Sequence, residues 1–221
     1  MYLHYVLDLW ADWWRKYHAR GDVIIVRWAD DFIVGFEHRE DAERFLDGLR
    51  GRFAKFGLEL HPDKTRLIEF GRHAARNRAA RGDRRPETFA FLGFTHICAT
   101  SKNGRFWVRR MTDSKRARAK LAEVKAELRR RQCLPIPEQG RWLAAVVRGH
   151  QNYYAVPGNS EAVYAFCSQV TKQWLKALRR RSQKGRRLTW TRMDRIATRW
   201  LPPVRILHPF PEARFAATHP R

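Results

Sequence analysis

The fold is decided by residues 23–36, which read VIIVRWADDFIVGF. Residues 23–26 and 32–36 are rich in β-branched and aromatic side chains, a composition that predicts two buried strands. The short polar link between them contains Asp30 and Asp31, and aspartate is favoured in tight turns. The stretch therefore predicts a β-hairpin that carries two adjacent carboxylates at its turn.

Those two carboxylates belong to a strongly basic chain. The 221 residues carry a formal net charge of +23, so a polyanion is the expected partner. An acidic turn on such a chain suits a polymerase, in which carboxylates hold divalent metal and a basic surface holds nucleic acid. Taken alone, however, two aspartates in a turn have a simpler interpretation as an ordinary hairpin turn.

Location and thiol chemistry follow from what the sequence contains. No apolar stretch approaches the length needed to span a bilayer and no secretory signal is visible, so we expect a cytoplasmic protein with no membrane partner. Cys98, Cys133 and Cys167 are far apart and odd in number, which fits neither a disulfide framework nor a zinc-binding pair. We expect them to be reduced thiols in the core.

Apolar residues at steps of three and four predict two helices in the first quarter of the chain, over residues 2–18 and 42–56. The predicted apolar face of the first helix comprises Tyr2, Val6, Leu9, Trp10, Trp13 and Tyr17. The hairpin lies between these two helices in the sequence. The first part of the chain is thus expected to mix helices and strands.

The next segments predict strands and one polar loop. Alternating apolar residues predict strand, turn and strand over residues 58–70. The arginine-rich residues 72–85 are expected to form a solvated loop. Residues 89–94 are expected to start a strand that pairs with residues 106–108 across a turn at residues 102–104.

Strand signals end near residue 112, and helices are predicted from there on. Asp113 or Ser114 and Asn159 are candidate N-cap residues. The predicted helices cover residues 114–131, 137–155, 159–181 and 191–200. We therefore expect a mixed α+β part over residues 1–111, an all-helical part over residues 112–200 and a proline-rich tail over residues 201–221.

Several short motifs, in a fixed order, resemble those of reverse transcriptases encoded by group II introns. The sequence resembles the later palm motifs at WADD (28–31), GLELHPDKT (57–65) and FLGF (91–94). It resembles the maturase, or thumb, domain at GHQNYY (149–154), LRRR (178–181), WLP (200–202) and HP (208–209). The resemblance implies an α+β fold in which a partial polymerase palm of antiparallel hairpins packed on helices precedes an all-α thumb or maturase bundle.

The resemblance also implies an RNA-directed DNA polymerase that is the maturase of its intron. Asp30 and Asp31 would be catalytic and would hold Mg²⁺, with Asp30 the more direct ligand. Lys64 would lie near the incoming triphosphate, although a surface lysine at a turn explains it equally well. Phe91, Leu92 and Gly93 would form the primer grip, and the phenylalanines would pack in the core in either case. The implied partners are intron RNA, a primer–template of RNA and DNA, and dNTPs.

The basic residues between positions 172 and 187 form the second candidate site. No acidic residue interrupts this run, and nothing in the chain neutralises the overall charge, so we expect contact with RNA phosphates. The predicted nucleic-acid contacts are Lys172, Lys176, Arg179, Arg180, Arg181, Arg186 and Arg187.

Two departures from the family pattern bear on activity. Trp28 stands where the family usually has tyrosine. The resemblance implies a third aspartate on an earlier strand and fingers that close on the nucleotide, but no acidic residue before Asp30 lies on a predicted strand, so we expect these parts to be missing. We expect a fragment of a longer protein that extends primers poorly by itself.

Two other functions stay open. One is a non-catalytic maturase remnant that binds intron RNA and assists splicing. The other, a general basic DNA-binding protein, is less favoured because no helix-turn-helix or zinc-finger signature is present.

Overall fold

The computed structural model describes residues 2–101 and 103–211, and its fold class is α+β, as predicted. The chain divides into two compact units, Met1–Glu69 and Phe70–Arg221. The domain boundaries expected after residues 111 and 200 stay predictions. Residues 212–221 of the expected proline-rich tail lie outside the described residues, as does Lys102 of the expected turn.

The first unit is built on the predicted hairpin. Strands β1 (Val23–Trp28) and β2 (Asp31–Phe36) pair antiparallel, with Val23 opposite Phe36 and Trp28 opposite Asp31. Helices α1 (Leu9–Tyr17) and α2 (Arg39–Lys55) pack on one face of this hairpin. Their shared buried core comprises Val6, Leu7, Ala11, Trp14, Val23, Phe45, Leu49 and Phe53.

The buried face of the first helical segment differs from the predicted one. Leu7, Ala11 and Trp14 are buried, whereas Leu9, Trp13 and Tyr17 of the predicted face are exposed. A π-helical segment, His4–Asp8, lies immediately before α1. The residues that contact the core form a second apolar stripe at steps of three and four that overlaps the predicted one, and periodicity alone does not distinguish the two: Leu3, Val6, Leu7, Trp10, Ala11 and Trp14.

Residues 58–70 contain a turn at residues 62–64, but the two predicted strands are wrong. Leu58 and Leu60 pack against the core of the first unit, while Glu59 between them is exposed. The alternation therefore reflects packing of an irregular segment, because residues 58–70 belong to neither of the two sheets in the described part of the chain.

The second unit opens with a helix where a loop was expected. Helix α3 spans Ala74–Ala80 within the arginine-rich segment. Alanine and arginine both favour helix, so this short element forms without an apolar stripe that periodicity would detect. The helix ends before Gly82, whose φ of +74° closes the C-terminal turn.

A three-stranded antiparallel sheet follows, in the order β3, β4, β5. Its strands are β3 (Phe89–Phe91), β4 (Phe94–Thr100) and β5 (Phe106–Thr112). The expected pairing is correct only for β4 with β5. Residues 89–94 do not form one continuous strand, because the chain reverses between Phe91 and Phe94.

Five helices complete the described chain. They are α4 (Ser114–Arg130), α5 (Ile136–Tyr154), α6 (Ser160–Arg179), α7 (Gln183–Arg186) and α8 (Trp190–Trp200). The short α7 was not predicted. Among the described residues, none of the helices combines the length and the apolar character needed to cross a membrane.

An apolar stripe at helical spacing along α6 is the centre of the helical core. Val163, Phe166, Val170, Trp174 and Leu178 are all buried. The Trp174 indole N–H donates to Gln139 Oε1 at 2.8 Å, and Gln139 Nε2 donates to the carbonyls of Arg131, at 2.8 Å, and Leu134, at 3.1 Å. These bonds satisfy two buried polar side chains and join α5 and α6 to the turn after α4.

Two further predictions for this unit need correction. Asn159 occupies the N-cap position of α6 but makes no capping bond; its side chain instead bonds Thr112 and the Tyr154 carbonyl. Of the two N-cap candidates for α4, Asp113 and Ser114, the structure has Asp113. The three cysteines are free thiols, but Cys133 is exposed rather than in the core, because it lies in the turn that follows α4.

Candidate functional site

The acidic turn joins β1 to β2 through only two residues. Trp28 pairs with Asp31, which leaves Ala29 and Asp30 as the loop. Ala29 has a φ of +55°, and a positive φ at the first loop residue is the pattern of a type II′ hairpin turn. Asp30 and Asp31 are both exposed, so the turn presents two adjacent carboxylates to solvent.

The face of the hairpin that carries Asp31 is uncovered within the first unit. Ile24, Val26 and Trp28 alternate with the buried Val23 and half-buried residues of β1, and all three are exposed, Trp28 by 68% of its surface. The strand is therefore not buried on both faces as expected, because helices pack on only one of them. Asp31 is the cross-strand partner of Trp28, so the two side chains share this face. An apolar and aromatic surface thus adjoins the carboxylates.

The oxygen donors at this turn are the two carboxylates of Asp30 and Asp31. Carboxylate oxygens are the ligands that Mg²⁺ prefers, and it is commonly held by one or two carboxylates with water and substrate phosphates completing the shell. Within residues 2–101 and 103–211, no group of three or more His, Cys, Asp and Glu side chains is arranged to hold a metal. Asp30 and Asp31 match Mg²⁺ in donor type, and their number is within the one or two carboxylates by which it is commonly held.

Lys64 is exposed in the turn at residues 62–64, where its backbone N–H bonds the His61 carbonyl at 3.2 Å. In the described part of the chain, no hydrogen bond or ion pair joins Lys64 to Asp30 or Asp31. Its position is that of a solvent-facing cation, available to a ligand but not bound to the carboxylates.

The FLGF segment forms a second hairpin turn in which, as at Ala29, a residue other than glycine has a positive φ. Phe91 pairs with Phe94, and the loop residues Leu92 and Gly93 have φ values of +47° and +76°. Positive φ at both loop residues defines a type I′ turn, in which leucine at the first position is unusual. The Tyr153 hydroxyl donates to the Leu92 carbonyl at 2.7 Å.

Gly93 permits a close approach, and in this structure the approaching group is Tyr154. A Cβ at Gly93 would lie 2.8 Å from the Tyr154 hydroxyl oxygen and 3.4 Å from an Arg116 nitrogen. Phe94 stacks on Tyr153 and meets Tyr154 edge to face, with ring centroids 5.6 and 5.1 Å apart. Part of the GHQNYY segment therefore supports the FLGF turn, a link that sequence spacing did not reveal.

The predicted cationic side chains between positions 172 and 187 are all exposed. Lys172, Lys176 and Arg179 lie on α6 outside its buried face, and the other four follow its last residue: Arg180, Arg181, Arg186 and Arg187. Four of them, Lys176, Arg179, Arg180 and Arg186, line one open cavity of about 470 Å³ together with Ser182 and Gln183. Lys172, Arg181 and Arg187 do not line it. The cavity forms because α7 follows closely after the end of α6, and Arg179 Nε bonds the Leu188 carbonyl at 2.8 Å.

Comparison with known families identifies a similarity over the first part of the chain. Residues 1–96 match the family described as reverse transcriptase (RNA-dependent DNA polymerase). This match includes the acidic turn, Lys64 and the FLGF turn. No curated protein matches the sequence. Reverse transcriptases in general carry out nucleotidyl transfer with nucleic-acid and nucleotide partners and a divalent metal.

Proposed function

We propose that this chain combines the acidic turn of a reverse transcriptase palm with an RNA-binding helical region, as in reverse transcriptases and maturases encoded by group II introns. The observation that carries the proposal is the exposed Asp30–Asp31 turn within a segment similar to reverse transcriptases. The motif order in the helical region supports the maturase part. We propose a cytoplasmic location for this activity.

The proposed roles follow from the residues present. Asp30 and Asp31 would hold Mg²⁺, which when bound supplies positive charge that activates the primer 3′-hydroxyl and stabilises the transferring phosphoryl group. Lys64 would give a proton to the pyrophosphate leaving group. Phe91, Leu92 and Gly93 would contact the primer strand with backbone groups of their turn.

A second candidate function is RNA binding without polymerisation, in which the chain assists splicing of its intron. The exposed cationic residues of α6 and α7 favour it, because they face solvent without an acidic residue between them. Arginine and lysine in such an arrangement bind phosphates regardless of base sequence.

Two assays on the purified chain test these functions: primer extension on an RNA template with Mg²⁺, and binding to a structured intron RNA. The variant is Asp30→Ala, and the control is Asp47→Ala, an exposed aspartate of α2. Extension that only Asp30→Ala abolishes supports the polymerase. RNA binding without extension supports the second function. Absence of both activities would contradict the proposal.

A further inference from the structure

The acidic turn contains a backbone conformation that has to be held in place. Ala29 and Leu92 are the only non-glycine residues with positive φ among residues 2–101 and 103–211. In this conformation the Cβ atom crowds the neighbouring carbonyl, so the chain adopts it only where surrounding contacts compensate. The residue that precedes Asp30 is therefore a strained one.

Arg27 makes the contact that holds this residue. Its Nη1 donates to the Ala29 carbonyl at 2.7 Å. Its Nε and Nη2 donate to the two oxygens of Asp8, at 2.7 and 2.5 Å. A guanidinium that is bound at two nitrogens by one carboxylate is fixed in its plane, so the third nitrogen is directed at Ala29 rather than free to rotate.

Asp8 is itself fixed by the fold of the first unit. It is the last residue of the π-helical segment, directly before α1, and its Oδ2 also lies 3.3 Å from His4 Nδ1. The side chains of Arg27 and Asp8 are only 26% and 28% exposed, so water screens the pair less than an ion pair on the open surface. The hydrogen bonds from Arg27 hold the pKa of Asp8 below its ordinary value, against burial, which raises it.

We infer that Arg27, oriented by Asp8, is a positioning residue for the acidic turn: it holds Ala29 in its strained conformation and thereby fixes where Asp30 and Asp31 point. The inference rests on the proposed function, because it concerns the carboxylates proposed to hold metal. A metal site tolerates only small errors in ligand position, and a two-residue loop without such support samples other turn geometries.

Amide hydrogen exchange, measured by NMR on the full chain without metal, tests this inference. In Arg27→Gln we expect the amides of residues 29–31 to exchange about tenfold faster, because a hydrogen bond from a charged donor is lost. Arg27→Lys should give a similar increase, since lysine can pair with Asp8 but has no second arm for Ala29. The control Arg50→Gln, which breaks an exposed ion pair on α2, should leave these amides unchanged.

Repeating the Arg27→Gln substitution in an Ala29→Gly variant separates a specific role at the turn from general stabilisation of the unit. Glycine adopts positive φ freely, so in Ala29→Gly the added Arg27→Gln change should accelerate exchange by about twofold or less. Three results would overturn the inference: no faster exchange at residues 29–31 than in Arg50→Gln, an equal increase throughout the first unit, or the same factor in both backgrounds.

A metal titration distinguishes failure of this inference from failure of the proposed function. Mn²⁺ broadens the signals of nearby nuclei, and in Arg27→Gln we expect several-fold more Mn²⁺ to be needed for half-maximal broadening at residues 29–31. If Mn²⁺ fails to broaden these residues in the unaltered chain, the proposed function is contradicted, and the exchange data still decide the role of Arg27.

Discussion

The Tyr153 hydroxyl donates a hydrogen bond to the Leu92 carbonyl at 2.7 Å, across 61 residues of sequence. It therefore joins the end of α5 to the turn between β3 and β4. Leu92 is in the left-handed conformation, so this bond stabilises a turn that leucine would otherwise disfavour. Arg27 makes the equivalent contact to Ala29 in the other unit.

Tyr153→Phe tests the contribution of this hydroxyl to the FLGF turn. We expect a loss of about 1 kcal/mol in the free energy of unfolding, because one hydrogen bond is removed and the ring contact with Phe94 stays. Urea denaturation measures the loss, and amide exchange of residues 91–94 should quicken with it. Tyr164→Phe, at an exposed tyrosine of α6, is the control and should change neither quantity. Equal effects of the two substitutions would show that the bond contributes nothing.

Gly93→Ala and Gly104→Ala form a matched pair. Both glycines have φ near +75°, at +76° and +73°, so alanine adds similar backbone strain of about 1–2 kcal/mol at each. At Gly104 a new Cβ meets nothing within 4 Å, whereas at Gly93 it meets the Tyr154 hydroxyl at 2.8 Å. We therefore expect Gly93→Ala to destabilise the chain by a further ~1–2 kcal/mol in denaturant titrations. Equal losses would mean that Tyr154 moves aside freely.

His150 makes the stability of the helical unit depend on pH. Its ring stacks on Phe166 with centroids 3.6 Å apart, and its Nε2 is buried without a hydrogen-bond partner among the described residues. Burial, aided by the positive charge of Lys120, lowers the pKa of His150 to about 4. The folded chain thus keeps a neutral imidazole, whereas the unfolded chain takes up a proton below about pH 6.5.

The unfolded chain binds more protons than the folded chain in this range, so the free energy of unfolding falls as the pH falls. This contribution to stability is complete above pH 6.5 and is lost as the pH falls toward 4, and we expect about 2 kcal/mol to be lost at pH 5 relative to pH 7. Urea midpoints at the two pH values measure it. His150→Phe should reduce the pH dependence by that amount, since carboxylate titrations are common to both chains. An unchanged pH dependence would contradict a buried neutral His150.

The cavity between α6 and α7 predicts which cations matter most for RNA. We compare substitution to glutamine of Lys176, Arg180 and Arg186, which line the cavity, with that of Lys172, Arg181 and Arg187, which do not. Each set removes the same charge. The affinity for structured RNA is measured over a range of salt concentrations, and the logarithm of the binding constant is plotted against the logarithm of the salt concentration. We expect this plot to be shallower for the cavity variant than for the other variant, by about one unit of slope per phosphate contact removed. Equal slopes for the two variants would mean that only net charge counts.

The sequence was most informative where a pattern was local. The hairpin follows from two β-branched runs around a two-residue link, and the buried face of α6 follows from an uninterrupted helical period. These features need no information from distant residues, and the structure confirms them.

The sequence was least informative where contacts with distant residues decide the local backbone conformation or the buried face of a helix. Leu92 reads as a strand residue, and the turn forms there because Tyr153 and Tyr154 support it. The first helical segment carries two overlapping apolar stripes, and the one that is buried is decided by the hairpin and α2, which pack against it. The role of Arg27 was missed because a polar residue within a strand gives no sign of its partner, Asp8.

Metal binding at the Asp30–Asp31 turn is the most direct test of the central claim. NMR spectra of the unaltered chain titrated with Mn²⁺ should show broadening centred on residues 29–32, because paramagnetic broadening reports even weak binding at the nearest nuclei. Asp30→Asn should abolish that broadening, and Asp47→Asn should preserve it. Broadening centred elsewhere, or unchanged in Asp30→Asn, would contradict the assignment of this turn as the metal site.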